Sequence, residues 1–207
     1  MPAAERFGLI HSVDRWIVKR ALTQLARLHM QGESVRFSIN LSGLSVGRQD
    51  MYELIEREVR EAGVEPSRIT FEITETAVIA NLGLAIDFIG RMKQMGCMFA
   101  LDDFGSGLSS FAYLKKLPVD FIKIDGEFVR DIATDPMDRA IVSAINDIGH
   151  EIGLTTVAEY VESPEIVRLL KICGVDKVQG NYISEPLDKL PSSNVIKLRQ
   201  QGRQVIS

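Results

Sequence analysis

The stretch Cys97-Met-Phe-Ala-Leu-Asp-Asp-Phe-Gly-Ser-Gly-Leu-Ser-Ser110 decides how the chain is read. Its apolar run, Met98 to Leu101, predicts a buried strand. Two adjacent carboxylates, Asp102 and Asp103, predict the strand's end, ahead of a turn rich in glycine and serine. Neighbouring strand side chains point to opposite faces, so these acids share an environment only if the backbone already turns between them. Capping of a helix beginning near Leu108 by Asp103 or Ser106 accounts for one of these polar residues but not for both acids.

Outward from this stretch the chain alternates helix and strand. Leu9 to Met30 carries apolar residues at helical spacing (Ile10, Val13, Ile17, Leu22, Leu25, Leu28), with Trp16 and Ala21 filling in. Strands are predicted at 35–41, 69–73, 97–102, 119–124, 154–159 and 175–179. Helices are predicted at 50–62, 85–95, 108–117, 136–152 and 164–172, four of them closed by Gly63, Gly96, Gly153 and Gly174. No internal repeat or low-complexity linker stands out. The pattern fades from Leu187 into a polar segment and a basic tail. Residues 1–190 read as one domain, with 191–207 as a terminal helix or tail.

Six strands separated by helices imply parallel strands covered by helices, in an open doubly wound sheet or a closed barrel. The strand faces favour the barrel. Arg36, Ser38 and Asn40 share one face against Val35, Phe37 and Ile39; Thr70 and Glu72 oppose Ile69, Phe71 and Ile73; Lys123 opposes Ile122 and Ile124. An open sheet buries both faces and reads apolar throughout, whereas a recurrently polar face fits a barrel with a functional mouth.

Each strand also ends on a polar residue. Asn40, Glu72, Asp102 with Asp103, Lys123, Glu159 and Gln179 lie at or beside the carboxyl ends, where α/β enzymes place their sites. Two carboxylates about 4 Å apart repel by about 4 kcal/mol at an effective dielectric of about 20. A divalent cation relieves that repulsion, and the all-oxygen set Asn40, Glu72, Asp102 and Asp103 suits Mg²⁺ or Mn²⁺, with the adjacent acids placed to bridge two ions. Such a pair serves phosphodiester cleavage. Lys123, the one cation among these acids, then holds the attacking water or neutralises charge on the phosphate; its alternative role is a structural ion pair.

Other chemistries lose support. Ser110 stands where a dinucleotide fingerprint needs its third glycine, and Phe111 where a nucleophile elbow needs its last. His11, His29 and His150 fall on predicted helices and read as helix-surface residues. With 207 residues, 45% hydrophobic and a formal charge of −4, the chain builds a sizeable core and does not suit broad phosphate neutralisation on a DNA or RNA duplex. Cys97 and Cys173 read as buried thiols of a reducing compartment. There is no signal-peptide core and no membrane-length apolar run, so the expectation is a cytoplasmic chain, while further domains could anchor the whole protein to a membrane.

The segments Ser38-Ile-Asn-Leu-Ser42, Phe71-Glu-Ile-Thr-Glu-Thr76, Leu101-Asp-Asp-Phe-Gly-Ser-Gly107, Phe121-Ile-Lys-Ile-Asp125, Val157-Ala-Glu-Tyr-Val-Glu162 and Val178-Gln-Gly180 resemble, in order and spacing, the EAL-domain phosphodiesterases that hydrolyse cyclic di-GMP. The resemblance runs from Pro2 to about Pro186. It implies an α/β fold of the TIM-like (β/α) barrel type, hydrolysis of cyclic di-GMP to linear pGpG with Mg²⁺ or Mn²⁺, and frequent homodimers. It implies metal ligation by Asn40, Glu72, Asp102 and Asp103, action of Lys123 on the catalytic water, and completion of the water and metal shell by Glu159 and Gln179. Glu75 would brace the loop carrying Gly105, Ser106 and Gly107, and Glu162 would support Glu159. A covalently attached GGDEF or sensory domain is a further expectation for the parent protein.

Two departures qualify the resemblance. The family's Glu-Ala-Leu strand, which carries a metal-ligating glutamate, should lie upstream of Pro2, so the barrel is expected to be incomplete at its N-terminus; a full one takes about 250 residues. Tyr160 stands where most relatives have glycine. An alternative therefore accompanies the enzyme reading, in which the domain is inactive and acts as a cyclic di-GMP receptor or protein-interaction module.

Overall fold

The computed structural model describes residues 9–106 and 112–186. These fall into two compact units, the first of residues 9–102 and 112–120 and the second of residues 103–106 and 121–186. The first holds α1 (Ile10–Met30), β1 (Phe37–Asn40), α2 (Gln49–Ala62), β2 (Ile69–Thr74), α3 (Glu75–Ala80), α4 (Leu82–Gln94) and most of β3 (Met98–Phe104). The second holds β4 (Phe121–Ile124), α5 (Gly126–Arg130), α6 (Pro136–Glu151), β5 (Thr155–Ala158), α7 (Pro164–Ile172) and β6 (Lys177–Val178). All six expected strands are present among the described residues. In the first unit β1 pairs with β2 and β2 with β3; in the second β4 pairs with β5 and β5 with β6, every pair parallel.

Local chemistry sets the element ends. Asp135 accepts from the Met137 N–H at 2.7 Å with Pro136 opening α6, and Ser163 accepts from the Ile166 N–H at 3.2 Å with Pro164 opening α7. The first unit's core gathers Phe71, Phe88 and Phe99, with ring centroids 5.6 Å apart for Phe71–Phe99 and 6.4 Å for the edge-on Phe88–Phe99 pair. The second packs Ile122, Ile124, Val142, Ala158, Val161 and Leu170, all fully buried.

Several expectations are corrected. The buried side of α1 is Ile10, Asp14, Val18, Leu22, Leu25 and Leu28, rotated from the predicted stripe, so Val13 and Ile17 are only half-buried and Trp16 is exposed. The short helices α3 and α5 were not expected. Strand β3 runs through both carboxylates to Phe104. Of the helix expected at 108–117, positions 108–111 lie outside the described residues, and the remainder holds one 3-10 turn, Leu114–Lys116. The tail at 191–207 lies outside the described residues. Cys97 is buried, and desolvation pushes its thiol up to about 12; Cys173 is only half-buried.

A local motif also recurs despite the expectation of no repeat. Asp120, just before β4, accepts from the Phe99 N–H at 2.8 Å and pairs with Lys93 near the end of α4. Asp176, just before β6, accepts from the Thr156 N–H at 2.8 Å and pairs with His150 near the end of α6 at 2.9 Å. In each case a carboxylate bonds the N–H of a strand and the end of the helix that leads into that strand. Burial raises the Asp176 carboxyl, but the Thr156 N–H, His150 and the Thr156 hydroxyl lower it further, leaving it below its ordinary value. This contribution is therefore full above the unfolded carboxylate pKa of about 4 and is lost as pH falls through the depressed folded value. Asp176→Asn is expected to cost about 1–2 kcal/mol at pH 7 after allowance for its exposure. Urea unfolding should show that difference from the parent shrinking below about pH 4.

Candidate active site

In the first unit, parallel pairing sets the candidate acids at the strand ends. Asn40, the exposed last residue of β1, lies in register with Glu72, and the Leu41 N–H donates to the Glu72 carbonyl at 2.9 Å. Glu72 is buried, and Asp102 of β3 is in register with Thr74. Glu75 opens α3 with only 2% of its surface exposed and accepts from the Tyr113 phenol.

In the second unit, Lys123 and Glu159 form a buried ion pair, Nζ to Oε1 2.7 Å, with side chains 5% and 11% exposed. A buried ion pair is weak evidence for stability, because desolvation offsets much of the Coulomb gain. Its position at the carboxyl ends of β4 and β5 is more informative. Asp103 adopts a left-handed backbone, φ 53°, which breaks the strand alternation between the two acids as the sequence required. A carboxylate oxygen of Asp103 lies within 4.8 Å of one from Glu159. Carboxylate oxygens are the donors a hard divalent ion takes, so two of them this close fit such an ion.

The surrounding loops are tightly held. Ser106 donates to the Asp103 carbonyl at 2.9 Å, and a Cβ at Gly105 would stand 2.9 Å from the Phe128 ring. Gly107 lies outside the described residues. The exposed Gln179 donates through its N–H to Ala158 at 2.8 Å, while its carbonyl accepts from the Val161 N–H at 3.0 Å. Gly180 approaches so closely that a Cβ would stand 2.2 Å from the Val161 nitrogen. Backbone cannot yield as a side-chain tip does, so Gly180→Ala is expected to cost about 3 kcal/mol, read as a lower urea midpoint at unchanged slope. Glu162 is exposed beyond this clamp.

Tyr160 also has a left-handed backbone, φ 53°. Its ring lies against Gly126, where a Cβ would stand 2.0 Å from Cδ2, and the Arg130 guanidinium covers it at 4.2 Å from the centroid. The ring is 49% exposed and is not driven into the core beside Glu159. Sequence reasoning missed Asp14, Tyr113 and Arg130. The signal for Asp14 was present, a carboxylate at i+4 from Ile10 and i−4 from Val18. The histidines are more than surface residues: His11 bonds Ser45 and Asp50, His29 bonds the Val35 carbonyl, and His150 bonds Asp176.

Parallel strands with carboxylates, an amide and a paired lysine at their carboxyl ends define a metal-suited α/β protein. Residues 1–186 match the EAL domain model, and the chain belongs to that family. It is 40% identical over 184 residues to the cyclic di-GMP phosphodiesterase PdeB of Shewanella oneidensis, covering 89% of this chain and 22% of that protein. It is 33% identical to the cyclic di-GMP phosphodiesterase PdeF of Escherichia coli, covering 95% and 26%. The chain thus spans about a quarter of the length of the curated relatives it matches. Among solved structures it resembles the PaMucR phosphodiesterase in complex with c-di-GMP, with TM-score 0.86, 31% identity and coverage of 94% of this chain and 78% of that one. The Xanthomonas citri FimX EAL domain in complex with c-diGMP gives TM-score 0.86 at 28% identity, covering 92% and 76%. The fold is the TIM-like parallel α/β fold of these domains.

Proposed function

We propose that this chain is the catalytic part of a bacterial second-messenger enzyme, hydrolysing cyclic di-GMP to linear pGpG with Mg²⁺ or Mn²⁺, used as a pair of ions. The buried Lys123–Glu159 pair, with an Asp103 oxygen within 4.8 Å of a Glu159 oxygen, carries this reading. Asn40, Glu72, Asp102 and Asp103 would hold the cations in this reading, and the bound cations would supply neutralisation of the phosphodiester and polarisation of its phosphorus–oxygen bonds. Lys123 donates to the water that attacks phosphorus, while Glu159 holds the ammonium in place. Gln179 orients the same water, and Glu162 stands behind Glu159. Glu75 and the loop of Gly105, Ser106 and Gly107 keep Asp103 in position. Water adds to phosphorus as one ribose oxygen leaves, taking up a proton and opening the ring.

The names of PdeB and PdeF and the nucleotide-bound relatives support this substrate. Among the described residues no helix is long and apolar enough to cross a membrane. A cytoplasmic setting, residues 1–190 as the EAL-type domain, a homodimer and an attached cyclase or sensory domain belong to the same reading. A relative named as a bifunctional diguanylate cyclase and phosphodiesterase supports the last of these. The test incubates the chain with cyclic di-GMP and Mg²⁺ and follows pGpG by chromatography. Binding without cleavage would replace the enzyme with a receptor; neither binding nor cleavage would overturn both.

A further inference from the structure

Asp14 occupies a position on α1 between the buried apolar residues Ile10 and Val18, one turn to either side. It is 2% exposed, on the buried side with Ile10 and Val18. A charge is rarely buried unless it is engaged. Its Oδ2 accepts from both the backbone N–H of Ser42, at 3.2 Å, and the Ser42 hydroxyl, at 2.5 Å. Ser42 stands two residues beyond Asn40, where the chain leaves β1. Asn40 and Leu41 are still aligned by the sheet, Asn40 in register with Glu72 and the Leu41 N–H on the Glu72 carbonyl. Asn40 therefore lies between two anchors, β2 on one side and the buried Asp14 carboxylate on the other.

The rest of the loop is arranged around that contact. Ser42 spends its single hydroxyl proton on Asp14. His11 bonds the Ser45 hydroxyl through Nδ1 at 3.1 Å and the Asp50 carboxylate through Nε2 at 2.9 Å. Ser45 is fully buried, so this Ser–His–Asp chain is a brace with no exposed nucleophile. The Ser45 N–H closes a turn on the Ser42 carbonyl at 3.0 Å, and a Cβ at Gly43 would stand 2.7 Å from that of Ala77. Helix α1 thus holds the turn at two points, Asp14 on Ser42 and His11 on Ser45.

We infer that Asp14 is a positioning residue for Asn40, acting through Ser42, and that cation affinity at the strand ends depends on it. The inference rests on the reading of Asn40 as a metal ligand. Ligand atoms must be held to within about 0.5 Å of their productive geometry, and partners behind a ligand typically govern about 10–100-fold in metal affinity.

The test measures Mn²⁺ binding to the metal-free chain by electron paramagnetic resonance, together with thermal unfolding, for the parent, Asp14→Ala, Asp14→Asn, Ser42→Ala, the Asp14→Ala/Ser42→Ala double variant and Asn40→Ala. Asp14→Ala should weaken Mn²⁺ binding by about tenfold. The double variant should lose little more, because both changes break one link. Asp14→Asn, whose amide oxygen still accepts from Ser42, should recover most of the loss. A lower unfolding temperature with unchanged Mn²⁺ affinity would reduce Asp14 to a packing role and overturn the inference. So would additive losses from Asp14→Ala and Ser42→Ala. Should Asp14→Ala not fold, Ser42→Ala alone carries the comparison, since it removes only the hydroxyl of a half-exposed residue, and unchanged affinity in it overturns the inference. Unchanged affinity in Asn40→Ala, or no Mn²⁺ binding by the parent, would instead remove the metal reading on which the inference rests.

Discussion

Lys123→Ala is expected to lower turnover of cyclic di-GMP by about 10³-fold while nucleotide affinity stays within about threefold. The side chain is itself only 5% exposed, on the strand face opposite the fully buried Ile122 and Ile124, and its Nζ lies 2.7 Å from Glu159. Burial on that scale leaves the ammonium few conformations, and in the proposed reaction it would stabilise charge developing on the attacking water or the phosphorane. A factor of 10³ corresponds to about 4 kcal/mol of transition-state stabilisation, within the range of one preorganised electrostatic contact. Removal of the lysine also takes the ion-pair partner from the buried Glu159 carboxylate, so the variant should lose about 3 kcal/mol of stability. Rates are therefore to be measured well below its unfolding midpoint, beside Lys123→Arg, which keeps the charge but changes its geometry. Equal losses in turnover and affinity would place Lys123 in ground-state binding instead.

Much of this arrangement was legible because single residues carry local instructions. Helix α7 occupies the predicted Pro164–Ile172, since Ser163 caps it, Pro164 opens it and Gly174 follows it. The polar face of β2 was legible through Glu72 among apolar neighbours, and it is a buried acid in the structure. Two adjacent acids at the end of β3 demanded a backbone turn, and the positive φ of Asp103 supplies it. Helices α3 and α5, six and five residues long, are too short for a 3.6-residue period to emerge from the surrounding sequence.

Pairings between distant residues were harder to reach. Asp14 and Ser42 meet across 28 positions; the spacing of Asp14 between Ile10 and Val18 marks a buried position, but nothing local names Ser42 as its partner. The rotation of α1 follows from the same contact: seating Asp14 over Ser42 turns Val18 inward and leaves Trp16 outside, against the ranking that hydrophobicity alone gives. The Lys123–Glu159 pair likewise joins residues of two strands whose register appears only once the sheet is formed.

Asp103→Asn is expected to raise the Mg²⁺ concentration needed for half-maximal activity by about 10–100-fold. Asparagine is the informative replacement because Asp103 sits at φ 53°, a region that aspartate and asparagine tolerate better than other non-glycine residues, whereas alanine would add backbone strain. The backbone stays as it is, and the change removes one negative charge and one oxygen. The unfolding temperatures of parent and variant in chelator set the metal-free reference. Mg²⁺ should then raise the parent's unfolding temperature more than the variant's, because a ligand that binds only the folded state stabilises it in proportion to occupancy, and the variant's occupancy is lower. This difference separates a lost cation ligand from a general loss of packing, which would lower both temperatures together. An unchanged Mg²⁺ requirement, with both unfolding temperatures moving in parallel, would mean that Asp103 holds no cation.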